Sequence, residues 1–198
     1  MSGAIVLASK SLARRAVLEA AGVRIEVADA GVDEEALKAR LLARGAAPKA
    51  IAEALAAEKA AVAARGRPGF VVGADQTLEL EGRLYDKVAT RDAARARLKL
   101  LRGRAHQLHA AVAVARQGEV VWREAATATL VMRDFSDAFL EDYLAREGAA
   151  ALGSVGCYRL EGPGVQLFAR IEGDYFSILG LPLLGLLEFL RREGALSA

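Results

Sequence analysis

Apolar and polar positions along the chain follow two periods in turn, and each change of period marks an element. Ile5-Val6-Leu7-Ala8 is an unbroken apolar run, which predicts a short buried strand. Ser11 can cap a helix running to about Ala21, with Val17, Leu18 and Ala21 on one face and Gly22 as its stop. Residues 24–28 alternate and predict a second strand. Helices are expected at 34–44 and 48–65, separated at Gly45, with Pro48 suited to a first helical turn.

Phe70-Val71-Val72 predicts a strand that leads straight into Gly73-Ala74-Asp75-Gln76. Segments 77–80 and 83–85 flank Glu81-Gly82, the pattern of a tight hairpin. Thr90 can cap a helix that ends at Gly103, and 106–115 with 119–132 form a long hairpin turning at Gln117-Gly118. Ser136 caps a further helix to about residue 146. Short strands are expected at 157–160 and 165–171, and an apolar helix at 183–192. Helices and strands alternate early while hairpins dominate the middle. The pattern predicts an α/β fold with a mixed central sheet flanked by helices, in one domain spanning 1–198.

Composition narrows the class. With 54% hydrophobic and 26% charged residues the chain can bury a sizeable core, and disorder is expected only in its last few residues. The apolar run 178–187 is interrupted by Gly180, Pro182 and Gly185 and is too short to cross a bilayer, so no membrane partner is expected. The segment MSGAIVLASKSLARR has a short apolar stretch followed, not preceded, by positive charge, unlike a secretory leader. One cysteine, Cys157, excludes an internal disulfide, and a cytoplasmic location is expected. The net charge of +2 carries no global basic bias, so no nucleic-acid partner is expected.

Two stretches stand out chemically. In Ser9-Lys10-Ser11-Leu12-Ala13-Arg14-Arg15 a strand delivers hydroxyl residues to a helix N-terminus, where free backbone N–H groups and two arginines can hold a phosphate. The same pattern is also that of an ordinary capped helix with solvent-facing arginines. In Gly73-Ala74-Asp75-Gln76 a carboxylate stands at the expected end of a buried strand, where it can bind Mg²⁺ or accept a proton from water. It can equally just begin a turn. Glu34, Lys59 and Lys87 are each ordinary surface residues when read alone, but together they are the mixture a phosphoanhydride site needs: carboxylates for metal or water, cations for the leaving pyrophosphate.

Other candidates are weaker. Arg91, Arg95, Arg97, Lys99, Arg102 and Arg104 crowd one helix against Asp92 alone, which reads as a solvated helix side because no aromatic platform accompanies them. His106 and His109 stand three apart in a strand and point to opposite faces, a poor metal pair. Cys157 and Trp122 read as packing residues.

Taken in order, LASKSLARR, VDEE, AEKA, VVGADQ and Asp86-Lys87, followed by LRGRAHQ, FSDAFLEDYL, GCYRLEGPG and IEGDYFSILGLPL, resemble the Maf family of nucleotide pyrophosphatases over about residues 4–194. The resemblance implies a central sheet with two lobes around a cleft. It also implies hydrolysis of a nucleoside triphosphate to monophosphate and pyrophosphate with a divalent metal, usually Mg²⁺. Many relatives are homodimers, and an older association links the family to division arrest. By position, Ser9, Arg14 and Arg15 match its phosphate-binding motif, and Glu34, Lys59, Asp75 and Lys87 match its polar cleft, with Asp75 as proton acceptor and Asp75 or Glu34 as metal ligand. The chain departs from the family in lacking the proline after Ser11, and in reading Asp86-Lys87-Val88 where Gly-Lys-Pro is common.

Gln76 after Asp75, Glu161 in Tyr158-Arg159-Leu160-Glu161-Gly162, and the terminal LRREG look more like the branch acting on 7-methyl-GTP than that acting on dTTP and UTP. Glu161 can accept hydrogen bonds from a guanine N1–H and amino group, whereas a glutamine suits uracil or thymine by donating and accepting. The rival expectations are dTTP/UTP hydrolysis, cleavage at the γ-phosphate, and a binding role in septation or on nucleic acid through the helix at 91–104.

Overall fold

The computed structural model describes residues 5–197; the first four residues of the N-terminal segment read above, and the final Ala198, lie outside the described residues. Strands β1 (Ile5–Ala8), β2 (Ile25–Val27), β3 (Val71–Leu80), β4 (Arg83–Tyr85), β5 (Ala105–Arg116), β6 (Glu119–Met132) and β7 (Phe168–Glu172) form one mixed sheet. Its order is β2-β1-β3-β5-β6-β7, with β4 paired to β3. The helices are α1 (Leu12–Ala20), α2 (Glu34–Leu42), α3 (Pro48–Ala63), α4 (Arg91–Leu101), α5 (Asp137–Glu147), α6 (Tyr175–Ile178) and α7 (Leu183–Arg192).

The caps read from the sequence form as hydrogen bonds. Ser11, Thr90 and Ser136 each accept from the backbone N–H three residues on, which satisfies a donor that the first helical turn leaves free. Among the described residues no helix is long and apolar enough to cross a membrane.

β3 departs from expectation in a way that matters for the site. Residues 77–80 are not a separate strand: one strand runs through Asp75, which therefore lies in its middle and not at its end. One edge of β3 changes partner along its length. Val71–Gly73 pair in parallel with β1, and Leu78–Leu80 pair antiparallel with β4. Residues 74–77 lie between, bordered by neither strand, while the opposite edge pairs with β5 throughout. This interruption is a switch point of the sheet, the place where open α/β folds gather ligands.

Side chains of β3 alternate between two differently built faces. Val71 and Gly73 face α3, whose Ala52, Ala56 and Ala60 pack with Ala111, Ala113 and Ala115 of β5. A Cβ on Gly73 would run into the Ala56 carbonyl oxygen and the Ala60 nitrogen, so α3 reaches this depth only because residue 73 has no side chain. Thr77 Oγ1 donates to the Pro48 carbonyl at 2.9 Å and pins the start of the helix. On the other face, Val72 and Ala74 join a core of Val17, Leu18, Leu186 and Phe189 from α1 and α7, where Trp122 stacks on Phe189 as a packing residue. Leu78 and Leu80 continue that face into a second core with Leu98, Leu101, Leu140 and Tyr143 of α4 and α5.

The C-terminal third holds the other corrections. Residues 157–160 form no strand. Cys157 takes a φ of +61°, and Ser154 Oγ brackets Tyr158 by accepting from its N–H and donating to its carbonyl. The strand expected at 165–171 starts later, because Pro163–Leu167 winds into a 3₁₀ turn before β7. The basic side of α4 is not simply solvated. Arg91 and Arg95 pair with Glu141, and Lys99 and Arg102 with Asp137, so the charges fasten α4 to α5. His106 and His109 do point to opposite faces: His106 meets Tyr158 Oη at 2.7 Å, and His109 lies between Glu79 and Thr127.

Candidate functional site

Asp75 projects from the α3 face of β3, beside the interruption in its edge. Lys59, one turn beyond Ala56 on α3, is 6% exposed, far from the solvated residue its local sequence suggests. Its ammonium lies 2.6 Å from Asp75 Oδ1 and 2.8 Å from Glu34 Oε2. Burying an unpaired ammonium would be costly, so the two carboxylates account for its position. Glu34 arrives on the first turn of α2, capped by Asp33, and remains half-exposed. The packing of α3 on Gly73 thus sets the height at which Lys59 meets Asp75.

Arg14 fills the interruption itself. Its Nη1 donates to the Ala74 carbonyl at 2.9 Å and to Ser9 Oγ at 3.1 Å, and its Nε donates to the Gly180 carbonyl at 2.8 Å. Burial pushes its pKa below the usual guanidinium range, opposed by the charges of Asp75 and Glu34. Lys87 completes the group from the segment after β4. Desolvation lowers its pKa first and the positive charge of Arg14 second, with Lys59 adding and Asp75 and Glu34 opposing. Ser9, Arg14, Glu34, Lys59, Asp75 and Lys87, from five regions of the sequence, thus share one electrostatic neighbourhood.

The remaining sequence candidates lie elsewhere. Arg15 is on the solvent side of α1, paired with Glu19 at 2.8 Å, and is not drawn into the group. Gln76 points to the opposite face of β3 from Asp75, where its side-chain amide donates to the carbonyls of Ser177 and Ile178 and so holds α6. Glu161 lines an open, largely apolar groove of about 360 Å³ with Ala13, Ala16 and Val17 of α1 and Tyr175, Phe176 and Leu179. None of the charged residues gathered around Asp75 lines that groove. Arg14 stands between the two regions, since α1 lines the groove while its guanidinium reaches back to β3.

Tyr175 and Phe176 escaped notice in the sequence because α6 is only four residues long. The signal was present: Asp174 accepts from Ser177 N at 2.7 Å, so the Asp-x-x-Ser spacing is a helix cap. Lys38 and Asp86, joined at 2.7 Å beside Lys87, were also unforeseen, because their partnership spans 48 residues.

Chemically, the arrangement can receive a polyanion and a water molecule. The Lys59 ammonium is fixed between two carboxylates, and one of them, Asp75, is only 9% exposed. Among the described residues no three His, Cys, Asp or Glu side chains converge as a metal cage. Two hard oxygen donors, however, suit Mg²⁺, which is usually held by one or two carboxylates with substrate phosphates and water completing its shell.

Comparison with known proteins agrees with this architecture. A nucleoside triphosphate pyrophosphatase of Caulobacter vibrioides is 58% identical over 193 residues, covering 98% of this chain and 97% of that protein. One of Granulibacter bethesdensis is 53% identical, with 98% of each chain covered. A 7-methyl-GTP pyrophosphatase of Brucella abortus is 47% identical, again over 98% of each. Residues 4–193 match the family described as Maf-like protein, and the chain belongs to that family.

Proposed function

We propose that this chain hydrolyses nucleoside triphosphates at the α–β phosphoanhydride bond, giving the monophosphate and pyrophosphate. The observation that carries the reading is the Lys59 ammonium held between Asp75 and Glu34, with Arg14 and Lys87 in the same electrostatic neighbourhood. Asp75 accepts a proton from water as the oxygen attacks the α-phosphorus in line. The bond from the α-phosphorus to the bridging oxygen breaks, and the electron pair leaves with pyrophosphate. Arg14, Lys59 and Lys87 orient the triphosphate and stabilise the charge that grows on the leaving group. Ser9 steadies Arg14 through its hydroxyl. Asp75 and Glu34 are the residues that would hold Mg²⁺, whose charge would polarise the phosphoryl oxygens.

For the base, the groove on the other side of Arg14 supplies the argument. Tyr175 and Phe176 offer aromatic faces, and Glu161 supplies a negative acceptor among apolar neighbours. These features suit a methylated, positively charged guanine better than a uracil, and the name of the Brucella abortus relative points the same way.

The test is a nucleotide panel with Mg²⁺, reading pyrophosphate release from wild type and Asp75→Asn. Release of diphosphate and inorganic phosphate, or full activity in Asp75→Asn, rejects the reaction. A higher kcat/KM for UTP and dTTP than for 7-methyl-GTP rejects the base assignment while leaving the reaction intact.

A further inference from the structure

Lys87 follows β4 on a short loop, and Val88 after it leaves the backbone φ free where a proline would fix it. The preceding residue, Asp86, is instead gripped from two sides. Lys38 Nζ on α2 donates to Asp86 Oδ1 at 2.7 Å and to Glu35 Oε1 at 3.1 Å. Arg97 Nη1 on α4 donates to the Asp86 carbonyl at 3.0 Å and to the Val155 carbonyl at 2.8 Å, while its guanidinium lies 4.7 Å from the centre of the Tyr85 ring.

We infer that Lys38, Asp86 and Arg97 form an ionic clamp that fixes Lys87 and Glu34 relative to each other across the cleft. This makes Lys38 and Asp86 positioning residues for the nucleotide site. The inference rests on the proposed function for the roles of Lys87 and Glu34.

Lys38 lies four residues after Glu34, so both project from the same side of α2. Glu34 reaches Lys59, and Lys38 reaches Asp86. α2 buries only Leu37, itself 9% exposed, with Leu41 partly covered, so apolar packing alone gives it a weak hold. The Lys38 side chain is 12% exposed, unusual for a lysine on such a thinly packed helix. Burial pulls its pKa down, but the hydrogen bonds to Asp86 and Glu35 outweigh burial and raise it.

Asp86 is half-exposed, and ion pairs with a partner open to solvent contribute little to global stability. Small displacements of groups that hold a reacting phosphate are expensive in rate. The clamp therefore predicts variants that fold normally and turn over slowly.

The experiment uses Lys38→Met, Asp86→Ala, the double variant, and Lys38→Arg. Each is measured for kcat and KM with the best nucleotide from the panel, thermal melting, and hydrogen exchange of segments 34–42 and 86–89 without nucleotide. Expected are a loss of about tenfold in kcat/KM for each single variant, expressed mainly in kcat, and melting within a few degrees of wild type. The double variant should be no worse than either single one, Lys38→Arg should retain most activity, and exchange should accelerate in both segments together. Additive losses in the double variant, or exchange in one segment indifferent to the other's residue, overturn the clamp. If the wild type releases no pyrophosphate from any nucleotide, the proposed function fails, and the exchange measurements still decide whether the clamp exists.

Discussion

The two faces of β3 solve opposite problems. Toward α3, the strand shows Gly73, Asp75 and Thr77, and the helix approaches so closely that a single added methyl would collide with its backbone. Toward α1 and α6 it shows Ala74 and Gln76, and the neighbouring elements leave a groove open. Close packing on the first face holds charges at fixed distances, which transition-state stabilisation demands. The looser second face carries the groove proposed above to receive the base. Chemistry and selectivity should therefore respond to different mutations.

The sharpest way to break this comparison is Asp75→Asn, which should lower kcat by roughly 10²–10⁴-fold, the usual range for losing a general base. Thermal melting should also fall, because Lys59 is left buried with Glu34 as its remaining carboxylate, and a comparable rate loss from a groove variant would erase the distinction. Gly73→Ala comes next. Its Cβ must push α3 away from β3, so a destabilisation of about 1–3 kcal/mol is expected in denaturant titration, with activity falling because Lys59 moves with the helix. A neutral result would mean that the helix has room to retreat.

On the groove side, the effects turn to pH and selectivity. His106 sits buried beneath Tyr158, and desolvation lowers its pKa to about 4 from an ordinary 6.5. The unfolded chain then binds a proton more readily than the folded one once pH falls below 6.5, so stability should decline from there down to about pH 4. The full loss is about 3 kcal/mol, and His106→Phe should flatten this part of the stability profile. The smallest change is Glu161→Gln. It should leave kcat/KM for UTP similar or slightly raised, and lower that for 7-methyl-GTP by roughly tenfold, a factor worth 1.4 kcal/mol. Equal effects on both nucleotides would remove Glu161 from base selection.

The strands of the first half and the capped helices were legible because each depends on residues adjacent in sequence. Ser11, Thr90 and Ser136 needed only a hydroxyl and a vacant N–H three residues on. Asp75 was found, but not its place in mid-strand, because the edge of β3 changes partner through contacts with residues far away. Lys59 looked solvated for the same reason, since its own helix does not reveal Asp75. The Cys157-Tyr158-Arg159-Leu160 alternation imitated a strand, and the positive φ at Cys157, imposed by the bracket around Tyr158, prevented one. Arg15 and Gln76 show the converse: their motif position was plain, but the direction of each side chain depended on Glu19 and on α6.

Arg14 has a consequence for how the molecule comes into being. Its guanidinium joins residue 14 to Ala74, 60 positions away, and to Gly180, 166 positions away. During synthesis, the first of these partners emerges long before the second. A ribosome-bound chain can therefore assemble β1, α3 and β3 long before Arg14 is seated, and the centre is complete only when the segment after β7 has left the exit tunnel.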